Sequence, residues 1–225
     1  MAFTKKTFDF LKQLSENNHR DWFENHRHLY EAHVRTPALD LISEMGPLLK
    51  KISPHFVAVP KKMGGSLMRI HRDTRFSRDK TPYKTNIGIQ FRHEFGKDIH
   101  APGFYLHVEP GSCFLGVGIW RPDSATLKKI RCHILQEPAA WRRSVRGKNF
   151  RSHFELAGES LKTAPLGFER DHPLIEDLRR KDFVGIQSIG ESEVTQPELA
   201  TCLADRFRQG KTLMRFLCDS IPAPF

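Results

Sequence analysis

Apolar and aromatic residues change their spacing near residue 86, and that change constrains the fold of this chain more than any other feature. Before it, Trp22, Phe23, His26, Tyr30 and Val34, then Leu41, Ile42, Met45, Leu48, Leu49 and Ile52, recur at the helical period. After it, Ile87, Ile89 and Phe91 alternate with Gly88 and Gln90, and Phe104, Leu106 and Val108 alternate with Tyr105, His107 and Glu109. A period of 3.6 places one apolar stripe on a helix, whereas a period of 2 gives a strand with one buried face. Pro110-Gly111 is a turn signal ahead of Cys113, Leu115, Val117 and Ile119, so these strands are expected to pair as an antiparallel hairpin. Gly116 and Gly118 on the opposite face leave a shallow trough, for helix packing, the commoner use, or for a ligand.

Helix boundaries are readable from caps. Thr4 suits an N-cap, with Phe3 and Phe8 as a hydrophobic staple, for a helix to about Ser15. Asn18 can cap a second helix, and Thr36-Pro37 is expected to start a third, kinked at Pro47. Beyond Pro122, Asp123 or Ser124 can cap a helix carrying Leu127, Ile130 and Ile134. A short helix from Pro138 holds Trp141 and Val145, Phe183 to Ile189 reads as a strand, and helices close the chain from Thr195 onward, broken at Gly210. Strands grouped between helices, without regular alternation, imply an α+β fold: an antiparallel sheet flanked by N-terminal and C-terminal helices. The expected organisation is a single domain over 1–225, with a helical part (1–55), a mainly β part (56–120) and a mixed part (121–225).

No apolar run reaches the ~18 residues of a membrane helix, so no membrane partner is expected. Cys113, Cys132, Cys202 and Cys218 lie far apart without paired spacing, which fits reduced thiols and a cytoplasmic location. His19, His26 and His33 share a helix face but stand ~10 Å apart per step, too far to share a metal, and no metal ligands are assigned. Cofactors are not specified by any motif.

The net charge of +10 is concentrated in two places. Arg69 to Lys84, RIHRDTRFSRDKTPYK, holds six cations and two acids (6 − 2 = +4), and Arg142 to Arg151 holds five cations and no acid (+5). The first segment lies between two expected strands, where a sheet can present it as a loop, and guanidinium forks beside hydroxyls suit bidentate capture of phosphate or carboxylate. Arg69, Arg72, Arg75, Lys80 and Lys84 are candidate donors to such an anion, Ser77 and Tyr83 add hydroxyls, and Asp73 and Asp79 orient the cations. The rival reading is an ion-pair network that pins the loop, with Phe76 and Pro82 as apolar anchors. Tyr105 and His107 sit on one strand face with Glu109, and Arg69 and His71 on another, so a polar face can gather beside the loop, with His107 or His71 as acid or base.

Trp22-Phe23 with Asn25 and Tyr30, then RDTRFSRDKTPYKTN from Arg72 to Asn86, then Pro102-Gly103-Phe104-Tyr105, then Arg121-Pro122 ahead of Leu127 and Arg131, resemble a widespread, mainly bacterial family of uncharacterised proteins, a domain of unknown function. The resemblance covers nearly the whole chain and implies no activity or catalytic residue. The expected function is binding or processing of a small phosphorylated or otherwise anionic molecule through the Arg72 to Lys84 loop. The alternative is a nucleic-acid-associated protein that adds Arg142 to Arg151 as a backbone-contacting stripe, with Trp141, Phe150 or Tyr83 stacking on bases. A protein-interaction adaptor with an acidic partner ranks third.

Overall fold

The computed structural model describes residues 3–96 and 101–225. Helix α1 (Lys5–Glu16) begins after an extended Thr4, whose N–H donates to Thr7 Oγ1 at 3.1 Å, and Phe3 and Phe8 are buried as a staple requires. Helix α2 (Arg20–Tyr30) is capped by His19, whose Nδ1 accepts from the Trp22 N–H, and not by Asn18. Asn18 is committed elsewhere, as described below.

The expected restart at Thr36 does not occur. A π turn (Glu31–Arg35) carries α2 directly into α3 (Thr36–Lys50), which continues through Pro47. Pro37 has no N–H to offer the carbonyl of His33, and the wide turn leaves room for its ring. The orphaned acceptor is satisfied from another helix: the buried Thr7 hydroxyl donates to the His33 carbonyl at 2.8 Å.

Strands β1 (Ile87–Arg92), β2 (Gly103–Val108) and β3 (Cys113–Ile119) precede α4 (Ser124–Gln136), α5 (Pro138–Arg146), α6 (Lys148–Arg151), β4 (Glu155–Ala157), α7 (Ile175–Leu178), β5 (Phe183–Ile189), α8 (Glu191–Val194), α9 (Leu199–Gln209) and α10 (Lys211–Ser220). Among the described residues the strands form an antiparallel sheet in the order β1-β2-β3-β5-β4. This is the α+β arrangement expected, helices preceding and following an antiparallel sheet. The β2-β3 hairpin turns at Pro110-Gly111, with Gly111 at a φ of 76°, and sets His107 opposite Phe114. Residues 66–68 run along the outer edge of β1, where the Met68 N–H donates to the Gly88 carbonyl at 2.9 Å.

Alternation assigns the two faces. Ile87, Ile89, Phe91, Phe104, Leu106, Val108, Leu115, Val117 and Ile119 are all buried. Phe207 of α9 meets the rings of Phe104 and Phe91 at 4.9 and 6.2 Å, and a Cβ on Gly210 would stand 2.8 Å from Val117, which fixes how closely the α9-α10 junction approaches the sheet. Each such large side chain contributes roughly 2 kcal/mol by leaving water. The opposite face carries Tyr105, His107 and Phe114, which remain partly accessible.

Of the two trough glycines, Gly118 is required by the neighbouring strand. Gly118, at a φ of 135°, lets the β5 backbone approach, since a Cβ there would lie 2.0 Å from the Phe183 carbonyl oxygen. Above Gly116 an added Cβ would make only ordinary contact, 3.7 Å from Tyr105 Cβ.

Candidate functional site

The basic loop emerges where β1 begins, and it is anchored through Tyr83. Tyr83 is 2% exposed and stacks on Phe23 of α2 at 4.1 Å between ring centroids. Asn18 donates from Nδ2 to the Tyr83 carbonyl at 2.9 Å and accepts the Tyr83 N–H on Oδ1 at 3.0 Å. Tyr83 is therefore a structural anchor rather than a donor facing solvent, and Phe76, expected as an anchor, is 96% exposed.

Beyond that anchor the cations separate into two groups. At the tip Arg72, Arg75 and Lys80 are engaged within the loop. Arg72 donates to Asp79 and to the Thr81 hydroxyl, and Arg75 forks onto Asp73 at 2.9 and 2.7 Å. Lys80 Nζ donates to the Thr74 carbonyl at 2.8 Å, and the Thr81 N–H donates to Asp79 Oδ1 at 2.9 Å. The Arg75 contacts hold the Asp73 carboxyl far below the ordinary carboxylate value, and the Thr81 N–H, with the Arg72 side chain next, lowers Asp79 to about 2. The Ser77 N–H donates to the Thr74 carbonyl at 3.3 Å. This ion-pair arrangement is the rival reading of the motif, realised in the tip.

At the root the situation is the reverse. Lys84 is half-buried, its ammonium pKa is lowered first by burial and then by the neighbouring Arg69 guanidinium, and neither cation has a carboxylate within ion-pair distance among the described residues. Two neighbouring cations, one drawn partly out of water without a counter-charge, is a costly arrangement that an anion would relieve.

The accessible sheet face continues from that root. His107 lies opposite Gly88 in β1, and its ring stacks on Phe114 at 4.5 Å and 12°. Nε2 is 3.2 Å from Glu109 Oε2, while Nδ1 faces the Tyr105 hydroxyl at 3.2 Å and the Asn86 amide at 3.3 Å. In the neutral tautomer whose Nε2–H donates to the carboxylate, the single Nδ1 lone pair is shared between the phenol and the amide. Glu109 also accepts from the Thr85 hydroxyl at 2.6 Å, which ties the residue after Lys84 to this cluster. Burial, and then the Glu109 charge, push the Tyr105 phenol up to about 12, so it is a donor at all physiological pH. Gly88 is needed here, because a Cβ would stand 2.9 Å from the Tyr105 hydroxyl. His71, the other expected acid or base, sits instead against the Tyr83 ring at 5.2 Å.

An open groove of about 310 Å³ adjoins the cluster beyond Phe114, lined by Gly111, Ser112, Ile186, Ser188 and Glu191 among others. Sequence reasoning placed Tyr105, His107 and Glu109 together correctly but missed Thr85, Asn86 and Phe114, which reach them only through strand register. No group of three His, Cys, Asp or Glu residues among the described ones is arranged to hold a metal, and Cys113, Cys132, Cys202 and Cys218 are all free thiols. No helix among the described residues is long and apolar enough to cross a membrane.

The second basic segment lies far from the first. Phe150 packs over Gly185 and Trp141 against Phe183, so α5 and α6 sit on β5, three strand spacings, about 14 Å, from β1 and toward the opposite end of the strands. Trp141 and Phe150 are 0% and 2% exposed, and with Tyr83 they are closed to base stacking because each fills the core.

One family model, described as "Conserved hypothetical protein (DUF2461)", matches residues 6–216. No curated protein and no solved structure matches the chain.

Proposed function

We propose that this chain, which belongs to the DUF2461 family of conserved hypothetical proteins, binds a small phosphorylated or otherwise anionic molecule at the root of its basic loop. The observation that carries this reading is the half-buried Lys84 beside Arg69 with no carboxylate to neutralise either. An anion there would restore the charge balance that burial disturbs, and a phosphate or carboxylate is the chemistry that an ammonium and a guanidinium together accept. The site is the root alone, since the Arg72 and Arg75 guanidinium groups are taken by carboxylates in the tip and Lys80 is exposed, with no burial for an anion to relieve.

Asn86, two residues on from Lys84, carries its amide to His107 beside the Tyr105 phenol, and these groups would supply hydrogen bonds to the remainder of such a molecule. Both imidazole nitrogens are engaged, so His107 orients its neighbours before it can exchange a proton with a ligand. Binding is therefore the activity proposed, without an assigned reaction.

Titration calorimetry with inorganic phosphate and with a phosphorylated small molecule tests it. Saturable one-to-one binding that Lys84→Met abolishes and Arg75→Ala leaves intact is the expected result. Loss of binding on Arg75→Ala with Lys84→Met unaffected would return the site to the tip and overturn this assignment.

A further inference from the structure

Residues 73–80 form a free-standing arm. Their hydrogen bonds, ion pairs and ring contacts among the described residues reach nothing outside residues 72–81. Such self-bonding keeps the arm in one shape without packing it on the domain. At its tip Phe76 is 96% exposed, with the Arg75 guanidinium over its ring at 5.8 Å. Leaving that ring in water forgoes roughly 2 kcal/mol of burial that a packed position would supply. Asp73 and Asp79 are taken by Arg75 and Arg72, which leaves Arg78 and Lys80 as exposed cations without a carboxylate partner.

We propose that this arm binds single-stranded nucleic acid, with Phe76 stacking on a base and Arg78 and Lys80 contacting the phosphates on either side. A stack needs one rigid π-face and no pocket, and with the Arg75 guanidinium over one face of Phe76 the arm leaves the other face for a base. A membrane surface fits less well, because interfacial segments use several large apolar side chains and the arm has one. The arm thus takes the stacking role that the buried Trp141, Phe150 and Tyr83 cannot fill. It is separate from the anion site at Lys84 and rests on a different observation.

Fluorescence anisotropy of the full chain with a labelled fifteen-residue oligothymidylate tests the proposal. Saturable binding is expected, with a log-log salt slope no steeper than about −2, as two or three neutralised phosphates at roughly 0.7 each require. Phe76→Ala should weaken it on the order of ten-fold, as removal of one stacked base does. Phe76→Trp should retain binding, with its emission quenched by the oligonucleotide, and Lys84→Met should leave the affinity unchanged. Equal binding by wild type and Phe76→Ala, an unquenched tryptophan, or dependence on Lys84 in place of Phe76 would each overturn the assignment. So would a blue shift of the tryptophan on phosphatidylserine vesicles with no response to the oligonucleotide, which would make the arm a lipid contact.

Discussion

Asn18 closes both backbone groups of Tyr83 with one carboxamide, across 65 residues of chain. The contact joins the N-terminal helices to the root of the basic loop at the point where the Tyr83 ring lies on Phe23. It makes the position of Lys84, one residue on, a consequence of helix packing as much as of the sheet.

Asn18→Ala removes two hydrogen bonds and leaves the buried Tyr83 backbone unpaired, which should cost roughly 2 kcal/mol. For a chain of this length the melting temperature should fall by roughly 5 °C. Asn18→Asp keeps the acceptor for the Tyr83 N–H and loses the donor, so it should fall between the two. An unchanged thermal unfolding curve for Asn18→Ala would remove the clasp from the account of the loop.

The Thr7 hydroxyl and the His33 carbonyl allow a paired test. Thr7→Val keeps the volume and leaves both the part-buried His33 carbonyl and the Thr4 N–H without their Thr7 partner, at a cost of about 1–3 kcal/mol. Pro37→Ala supplies an N–H near that carbonyl, so in the Thr7→Val background it should recover the part of the loss that comes from His33. Denaturant unfolding of the double variant measures the recovery, and additive losses would mean that the proline is not what orphans the carbonyl.

The sheet was legible because alternation is local: Phe104, Leu106 and Val108 announce their face without reference to any other strand. Contacts that depend on distant partners were not. Asn18 beside His19 has the chemistry of a cap and of a clasp equally, and only the arrival of Tyr83 decides between them. Thr36-Pro37 reads as a helix start because proline suits that position, whereas Thr7, thirty residues earlier, allows the helix to run on. Trp141 and Phe150 lie among arginines, so local charge suggested a surface, although the four-residue spacing of Trp141 and Val145 already described a buried stripe. At the site, Tyr105, His107 and Glu109 followed from period 2, and their connection to Thr85 and Asn86 waited on register.

Asp79 gives the arm a pH dependence confined to acid. Its carboxyl is lowered from 3.8 to about 2 by the Thr81 N–H and the Arg72 side chain, so the contacts are complete above the unfolded value and fail as pH falls through about 2. An NMR titration should show the Thr81 amide moving with a midpoint near 2, and Asp79→Asn should abolish that movement. A midpoint at the ordinary carboxylate value would mean that the tip is not held by these contacts in solution.

Lys84 should give a dependence of the same sign, but in alkali and because its charged form is the one the fold disfavours. Burial and Arg69 lower its folded pKa beneath the unfolded value of 10.5, so between the two the unfolded chain holds more protons and stability rises with pH. Lys84→Met removes the uncompensated charge, so without added anion it should be neutral or stabilising and should flatten that alkaline rise. Phosphate should act on the wild type and not on Lys84→Met at neutral pH, where a hundredfold excess over Kd raises stability by about 2.7 kcal/mol through mass action. Arg75→Ala, whose carboxylate pair is mostly exposed, should keep both the unliganded melting temperature and the phosphate-dependent gain. If Lys84→Met gains as much from phosphate as the wild type does, the cation pair at the root is not where the anion sits.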